Sequence, residues 1–480
     1  MSKPLKAEVA VIGAGPGGYG AAFMAADLGL DVALIDVEEN PGGTCLYRGC
    51  IPSKALLHAA KTIIDAREAA EWGLHFGAPR IDLDTLRERT QSVVAQLTGG
   101  LGGLTSARKI QYVQGRATYV DANTLAIFKS DASEVLLHCE NSIIAAGSRP
   151  ATFGKPIDSP RVMNSTHALE LSDVPKSLLV IGGGYIGLEL GTVYAALGAK
   201  VTIVEFMDGL LPGVDRDLVT PVAVRLERLV HAIHLNTKVV GMKEQKNGMK
   251  VTLEGPHVNK PIQIFDKVLM AVGRKPNASG LGLKSTKVQV DKQGFIQIDA
   301  QCRTADPSIF AVGDVVGGAM LAHKATHEGR IAAEVIAGRN AAFEPMAIPA
   351  VVFTDPEIAW CGLTESEAKA AGRAVEVSRF PWAASGRAAT LNRSDGVTKL
   401  LCDPETKQVL GVGIAGAGAG ELIAEGVLAI EMGALAADLA MTIHPHPTLS
   451  ESIMEAAAGL YGHSTHVFRP GKKRSEQDGA

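Results

Sequence analysis

The segment GGTCLYRGCIPSK, residues 42–54, sets Cys45 and Cys50 among three glycines, with Pro52 and Lys54 just behind. Two thiols brought together at a helix start exchange with other thiols and have a lowered pKa. On one continuous helix five steps rise about 7.5 Å and point the side chains apart. A bond between the two sulfurs needs Cα atoms within about 7 Å and converging Cβ vectors. If they bond, Cys45 must sit in a turn ahead of the helix that carries Cys50. A second candidate lies near the other end, in HPHPTLSE, residues 444–451. Its two prolines make an extended, ordered turn, and Glu451 opens the next helix, close enough to fix the tautomer of a histidine. An imidazole backed by a carboxylate is the base near pH 7 that thiol chemistry needs.

These groups require a scaffold, and two motifs describe one. Residues 8–12 are an apolar run that leads into Gly13-Ala14-Gly15-Pro16-Gly17-Gly18, a helical pattern to Leu28, a second run at 32–35 and then Asp36. This is the dinucleotide fingerprint in its required order of strand, glycine turn, helix, strand and acid. Gly13 makes the tight turn, Gly15 admits a pyrophosphate and Gly18 lets helix pack on strand. Asp36 is placed to accept from a ribose. The pattern returns at 177–181, with Gly182, Gly184 and Gly187, a helix through Leu197, a run at 201–204 and Glu205. Two fingerprints imply two dinucleotides. Glu205 suits a free 2′-hydroxyl, and Phe206, Met207 and Asp208 supply no arginine for a 2′-phosphate, which favours NAD over NADP at the second site.

Between the motifs, residues 55–108 read as mostly helical and 123–139 as strands. Three apolar strands, within 142–150, 268–277 and 309–314, end in glycine and polar residues, the places where open α/β sheets bind ligands. Asp314 either reaches a cofactor hydroxyl or caps the following helix. From residue 349 the pattern changes to short strands at 351–353, 398–402 and 409–415, read as a mixed sheet covered by helices at 365–371 and 420–431. The polar tail from residue 469 is expected to be disordered.

The chain has 480 residues, 46% of them hydrophobic and 20% charged, with a net charge of −4 and no block of either sign. That argues against nucleic acid or an anionic membrane as partner. Six cysteines in this length do not make a disulfide framework. Cys139, Cys302, Cys361 and Cys402 lack metal-ligand spacing and read as buried small hydrophobes, so no metal is expected. The start shows no apolar signal core, and the apolar stretch 409–443 is interrupted by Glu421, Glu425, Glu431 and Asp438. A soluble cytoplasmic protein is expected.

GGTC…GCIPSKALL, GGGYIGLELG, LNTKV, VGRKP, AVGDVVGGAMLAHKA, TDPEIAW and HPHPTLSE together resemble the dihydrolipoamide dehydrogenase family, flavoproteins that serve 2-oxo acid dehydrogenase complexes. The resemblance covers nearly the whole chain. It implies an α/β fold with two Rossmann-like domains and a C-terminal α+β dimerisation domain. FAD would be held by residues 1–150 and 274–347, and NAD by residues 151–273. Residues 348–468 would form the interface of an obligate homodimer, and residues 469–480 a disordered tail. By the same resemblance Cys50 is the thiol beside the flavin and Cys45 the one that exchanges with substrate. Lys54 would lie near the flavin, paired with Glu189. His446 would be the acid–base group, oriented by Glu451 and offered to the partner subunit's site. Further FAD contacts would come from Thr44, Gly115, Ala146, Gly147, Ser148, Asp314, Met320, Leu321, Ala322 and His323. Val239 and Gly273 would contact NAD. The expected reaction oxidises dihydrolipoamide carried on lipoyl domains of an E2 component or a glycine cleavage H protein. Glutathione reductase, which shares the thiol pair but prefers NADPH, is the alternative. One departure stands out: the family usually has Asn-Val where this chain has Tyr47-Arg48. Arg48 is therefore a candidate to shift the thiol pKa values or alter the approach of a lipoyl-bearing partner.

Overall fold

A computed structural model of the chain describes residues 4–154 and 157–468. The tail expected to be disordered lies outside them. The described residues divide into two compact units, 4–154, 157–176, 244–249 and 266–344 in one, and 177–243, 250–265 and 345–468 in the other.

The first unit is built on strand Leu5–Ile12, whose last four residues have no polar side chain and are buried. It runs parallel to Val32–Asp36 on one side and to Glu134–Ile144 on the other, with Val11 opposite Leu34 and Ile143. A strand buried on both faces must read as a continuous apolar run, and this one does. Gln111–Gln114 extends the sheet beyond Val32–Asp36, and Thr124–Phe128 and Arg116–Asp121 add an antiparallel meander on the other side. Ile309–Ala311 also pairs in parallel with Glu134–Ile144. Helix Pro16–Asp27 leaves the first strand through the glycine turn. The stretch read as mostly helical resolves into Cys50–Glu68, a short 3₁₀ turn at Ala69–Trp72 and Leu83–Ala107, with the intervening residues irregular.

In the second unit Ser177–Ile181, Lys200–Val204 and Ala232–His234 repeat the parallel arrangement, with helix Tyr185–Ala196 after the glycine turn. The C-terminal sheet differs from expectation. It has five strands in the order Ala350–Val352, Glu357–Gly362, Val409–Gly416, Val397–Cys402, Glu376–Pro381, and every pairing is antiparallel. It is therefore not mixed: neighbouring strands run back against each other, so no parallel crossover is needed. Helices Ala419–Glu431 and Glu451–Leu460 are buried along one face each. Trp382 is fully buried in this core, its indole N–H donating to Thr398 Oγ1 at 2.9 Å.

One charged group is as deeply buried as the tryptophan. Lys399, 1% exposed, donates to Asp215, Asp217 and Glu365 at 2.7, 2.8 and 2.9 Å. Arg379 joins Asp217 and Glu365 from the solvent side. Burial alone would push the Asp215 carboxyl up, but hydrogen bonds from Lys399 and Ser366 outweigh it and hold it at about 2. Burial likewise opposes the charge on Lys399, and its three carboxylate partners raise its pKa against that pressure. The Asp215 contribution is present above the ordinary carboxyl range and is lost as pH falls through about 2, while that of Lys399 is lost only as pH rises through its raised pKa. Lys399→Met strands three carboxylates in a low-dielectric site. It should destabilise the protein by ~3–5 kcal/mol near neutrality. The deficit should shrink on acidification, as the orphaned carboxyls take up protons. Denaturant unfolding of both proteins across the acid range checks this; a deficit independent of pH would contradict it.

Candidate active site

The two candidate thiols lie on separate helices. Gly43–Arg48 is a helix of six residues that carries Cys45, and Cys50 begins the long helix Cys50–Glu68. Cys45 is thus in a short helix of its own, where the sequence suggested a turn. Gly49 is the break between them, with φ −145° and ψ −115°. A Cβ there would lie 2.8 Å from the Thr44 carbonyl and 3.3 Å from Cys45 Cα, so only glycine lets the second helix fold back onto the first. Both residues are thiols, Cys50 exposed and Cys45 half-buried, and the Cys45 side chain is hydrogen-bonded to Cys50. That bond, followed by burial and the charge of Cys50, pushes the Cys45 thiol above its ordinary range, with Lys54 pulling the other way. The lowered pKa expected of a helix-start thiol is therefore not found at Cys45: a thiol that donates to its neighbour holds its proton. Lys54 stands one helical turn after Cys50, on the same face. Arg48 is turned to the carboxylate of Glu38. Tyr19, on the helix of the first fingerprint, also faces the pair. Burial first, then the two thiols, raise its phenol to about 12, so it stays neutral.

The thiol segment starts against the first glycine turn. Gly42 N–H donates to the Ala14 carbonyl at 2.8 Å, and a Cβ on Gly43 would sit 2.5 Å from Gly15 Cα. Gly15 caps helix Pro16–Asp27 without a side-chain acceptor, leaving the first N–H groups of the helix for an anion. A Cβ on Gly18 would meet the Gly13 carbonyl at 1.7 Å, and one on Gly187 would meet that of Gly182 at 2.1 Å. The two terminal acids are gripped alike. Asp36 accepts from Ala14 N–H at 2.6 Å and Glu38 N–H at 3.1 Å, and Glu205 accepts from Gly183 N–H at 2.6 Å and Met207 N–H at 2.7 Å. Each carboxylate is thereby aimed at its own turn.

The remaining candidates of the first unit cluster at strand ends. Asp314 lies in the 3₁₀ turn Gly313–Val316 and accepts from the Ser148 hydroxyl, with Arg274 Nε 3.7 Å away. The capping role fails: helix Ala322–Ile336 is preceded by Leu321. Ala146 holds Asn277 through its carbonyl, and Gly147 has φ +66°. Gly115 N–H donates to the Asp36 carbonyl at 2.7 Å. Thr44 is in the thiol helix, Met320 and Leu321 precede the helix that Ala322 and His323 begin, and Gly273 has φ +109°. A buried pair escaped notice in the sequence: Lys324 and Glu328, 2.6 Å apart, with Glu328 accepting from Gly313 N–H at 2.7 Å. Their i,i+4 spacing was the available signal. In the second unit Glu189 is buried and accepts from Phe353 N–H at 3.0 Å, and Val239 is in strand Lys238–Gln245.

His446 and Glu451 meet as expected. Nδ1 lies 2.8 Å from Glu451 Oε1, and Oε2 accepts from Thr448 N–H at 2.8 Å. Burial would raise the Glu451 carboxyl, but the Thr448 N–H and the imidazole hold it below its usual range. With Nδ1 engaged by the carboxylate, Nε2 is the ring nitrogen of this 70% exposed side chain that Glu451 does not hold. Two further pairs, His444 with Glu425 and His466 with Glu455, each at 2.8 Å, carried no local sequence signal because their partners are 19 and 11 residues apart. Met441 and Ile443, just before the histidine turn, are 83% and 95% exposed, and Leu428 and Met432 are also exposed. Such an apolar surface beside an exposed base is what an interface between chains needs.

Comparison with known proteins agrees. The model of the pyridine nucleotide-disulphide oxidoreductases matches residues 7–329, and that of their dimerisation domain matches residues 348–457. The fold and the thiol pair are thus those of a flavoprotein disulfide oxidoreductase. Dihydrolipoyl dehydrogenase of Haemophilus influenzae is 48% identical over 99% of both chains, and that of Vibrio cholerae is 47% identical over 97% of this chain and 98% of its own. The crystal structure of LpdA from Mycobacterium tuberculosis superimposes with a TM-score of 0.88 at 26% identity, covering 95% of this chain and 99% of that one. The chain belongs to the dihydrolipoyl dehydrogenase family, NAD-dependent flavoprotein oxidoreductases that use FAD and NAD. The residues present fit that pair of cofactors. Each glycine turn leaves uncapped helix N–H groups for a pyrophosphate, with a carboxylate beside it. No helix is long and apolar enough to cross a membrane among the described residues.

Lys54 is the cation that lowers Cys45, so its removal has a definite sign. In the reduced Lys54→Met protein, alkylation of Cys45 should begin at higher pH than in the parent. Mass-spectrometric alkylation profiles read this directly, and an unchanged profile would show that the ammonium does not act on the thiol.

Proposed function

We propose that the chain oxidises dihydrolipoamide, carried on lipoyl domains of a 2-oxo acid dehydrogenase E2 component or a glycine cleavage H protein, and reduces NAD⁺ to NADH, in the cytoplasm. The observation that carries this reading is the thiol pair starting directly against the first glycine turn. That turn would hold FAD, with Asp36 on the ribose and Thr44, Gly115, residues 146–148, Asp314 and residues 320–323 along the cofactor. The second turn, with Glu205, Val239 and Gly273, would hold NAD. In this scheme residues 1–150 and 274–347, 151–273, and 348–468 are the three functional modules.

The protein works as a homodimer in which each His446 serves the thiols of the other protomer. His446 takes a proton from one thiol of the substrate at Nε2, while Glu451 fixes the tautomer and steadies the imidazolium. The substrate thiolate attacks Cys45 of the Cys45–Cys50 disulfide, and Cys50 leaves as a thiolate. The second substrate thiol then displaces Cys45, closing the lipoyl ring and leaving both protein sulfurs reduced. Bound FAD supplies the route by which the electron pair passes from the thiols to NAD⁺. Lys54, one helical turn after Cys50, places a cation beside the sulfur that departs.

Glutathione disulfide is the competing substrate class, and its enzymes take NADPH. The Glu205 carboxylate, fastened by two backbone N–H groups, disfavours a 2′-phosphate. Steady-state assays with dihydrolipoamide and with glutathione disulfide, each with both nicotinamide cofactors, decide between them. Turnover only of dihydrolipoamide with NAD⁺ is expected; turnover of glutathione disulfide with NADPH would replace the reading. His446→Gln should lower dihydrolipoamide turnover by about 10²–10⁴-fold, the span of a lost general base. Oxidation of NADH by an artificial acceptor, which bypasses the substrate dithiol, should survive. Equal loss of both would make His446 structural.

A further inference from the structure

The thiol helix Gly43–Arg48 has only six residues, too few to be stable by itself. Something else must hold Cys45 in place. Its N-terminal end is tied by the Gly42 N–H to the Ala14 carbonyl. Its C-terminal end is tied by the two residues that depart from the family pattern. Tyr47 Oη donates to the Asn40 carbonyl at 3.0 Å and accepts from Asn40 N–H at 3.3 Å. The Arg48 guanidinium binds the Glu38 carboxylate and lies 5.9 Å over the Tyr47 ring. Both side chains thus grip the same loop, the one that follows Asp36. Glu38 is held in turn: its N–H donates to Asp36 Oδ1 at 3.1 Å and its carbonyl accepts from Tyr112 Oη at 2.9 Å. Asp36 closes the circuit through Ala14 N–H at 2.6 Å. From Ala14 the bonds run through Asp36, Glu38, Arg48 and the thiol helix to Gly42, and back to Ala14.

We infer that Tyr47 and Arg48 are positioning residues for the thiol exchange: they strap the Cys45 helix to the Asp36 loop, so that the reactive sulfur and the ribose-binding carboxylate are held as one body. This rests on the function proposed above. An ordinary surface ion pair is the competing account of Arg48, whose side chain is 40% exposed, and such pairs contribute little. The distinction is that a strap ties cofactor retention to thiol reactivity and an isolated pair ties nothing. Asn-Val at these positions has neither the phenol nor the cation, so a chain carrying that pair lacks the strap.

The test uses the FAD-loaded enzyme with Arg48→Val, Arg48→Lys, Glu38→Gln, Tyr47→Phe and the Arg48→Val/Glu38→Gln double variant. FAD release, followed by the recovery of free flavin fluorescence, should quicken about five- to tenfold in Arg48→Val, the scale of one ordinary hydrogen bond, since solvent screens this half-exposed pair. Glu38→Gln should match it and the double variant should add nothing further, because both remove the same bond. Arg48→Lys should recover part of the loss, and Tyr47→Phe should show a smaller acceleration. Alkylation of Cys45 should begin at lower pH in Arg48→Val. Burial and the Cys50 hydrogen bond hold that thiol up, and a loosened helix relaxes both. Unchanged FAD release together with an unchanged alkylation profile would reduce Arg48 to a surface pair. Additive losses in the double variant would likewise show that no shared strap exists. These readouts do not require dihydrolipoamide. If the parent enzyme fails to oxidise that substrate, the functional reading falls while the strap is still judged by its own measurements.

Discussion

Everything in the first unit depends on two backbones meeting where no side chain intervenes. Gly43 and Gly15 approach so closely that a methyl on Gly43 would penetrate the Gly15 backbone. That contact places the start of the thiol helix on the turn whose free N–H groups suit a pyrophosphate. A thiolate that hands its electron pair on by contact must lie directly beside the group it reduces. The glycines of GGTC therefore belong to the first fingerprint as much as to the cysteines. Once that contact exists, the break at Gly49 folds the second helix back and sets Cys50 and Lys54 on the adjoining face.

The protonation of the site follows from hydrogen-bond direction more than from charge. Cys45 keeps its proton: the hydrogen bond to its neighbour's sulfur, with burial and the charge of Cys50, pushes its thiol up and makes it a poor thiolate. A base from elsewhere is required to start exchange, and the His446–Glu451 pair has the geometry of one. Glu451 is held anionic by a backbone N–H as well as by the imidazole, so it orients His446 without competing for its proton. Glu455, one turn further along the same helix, uses both oxygens in the same manner toward His466, Ser464 and Thr465.

The parts of this architecture that were legible in the sequence are those whose cause is local. A buried parallel strand has to be apolar, a glycine turn has to precede the helix, and an acid has to follow the next strand. Hence Leu5–Ile12, Ser177–Ile181, Asp36 and Glu205 fell where their spacing put them. The pairing of His446 with Glu451 was also local, across one turn. What was not legible depends on residues distant in the chain. The antiparallel course of the C-terminal sheet is decided by which strands become neighbours, and Glu357–Gly362 and Glu376–Pro381 carried too little alternation to be seen alone. Lys399 reads as an ordinary exposed lysine until Asp215 and Glu365 converge on it from 184 and 34 residues away. The short helix around Cys45 was not foreseen because six residues between glycines gave no periodicity to count, and the direction of its pKa because its hydrogen-bond partner is another thiol.

The two glycine turns look interchangeable, yet one structural difference separates them. In the first turn the residue that donates to the acid is Ala14, and Asp36 reaches it; in the second it is Gly183, and the longer Glu205 reaches it. A side chain at position 183 would come 3.1 Å from the Glu205 carboxylate oxygen and Cβ and 2.8 Å from Leu210. The extra methylene of glutamate occupies the space that a methyl group fills in the first turn. Acid and turn residue are thus fitted to each other in each turn of this chain: the shorter acid faces alanine and the longer one faces glycine.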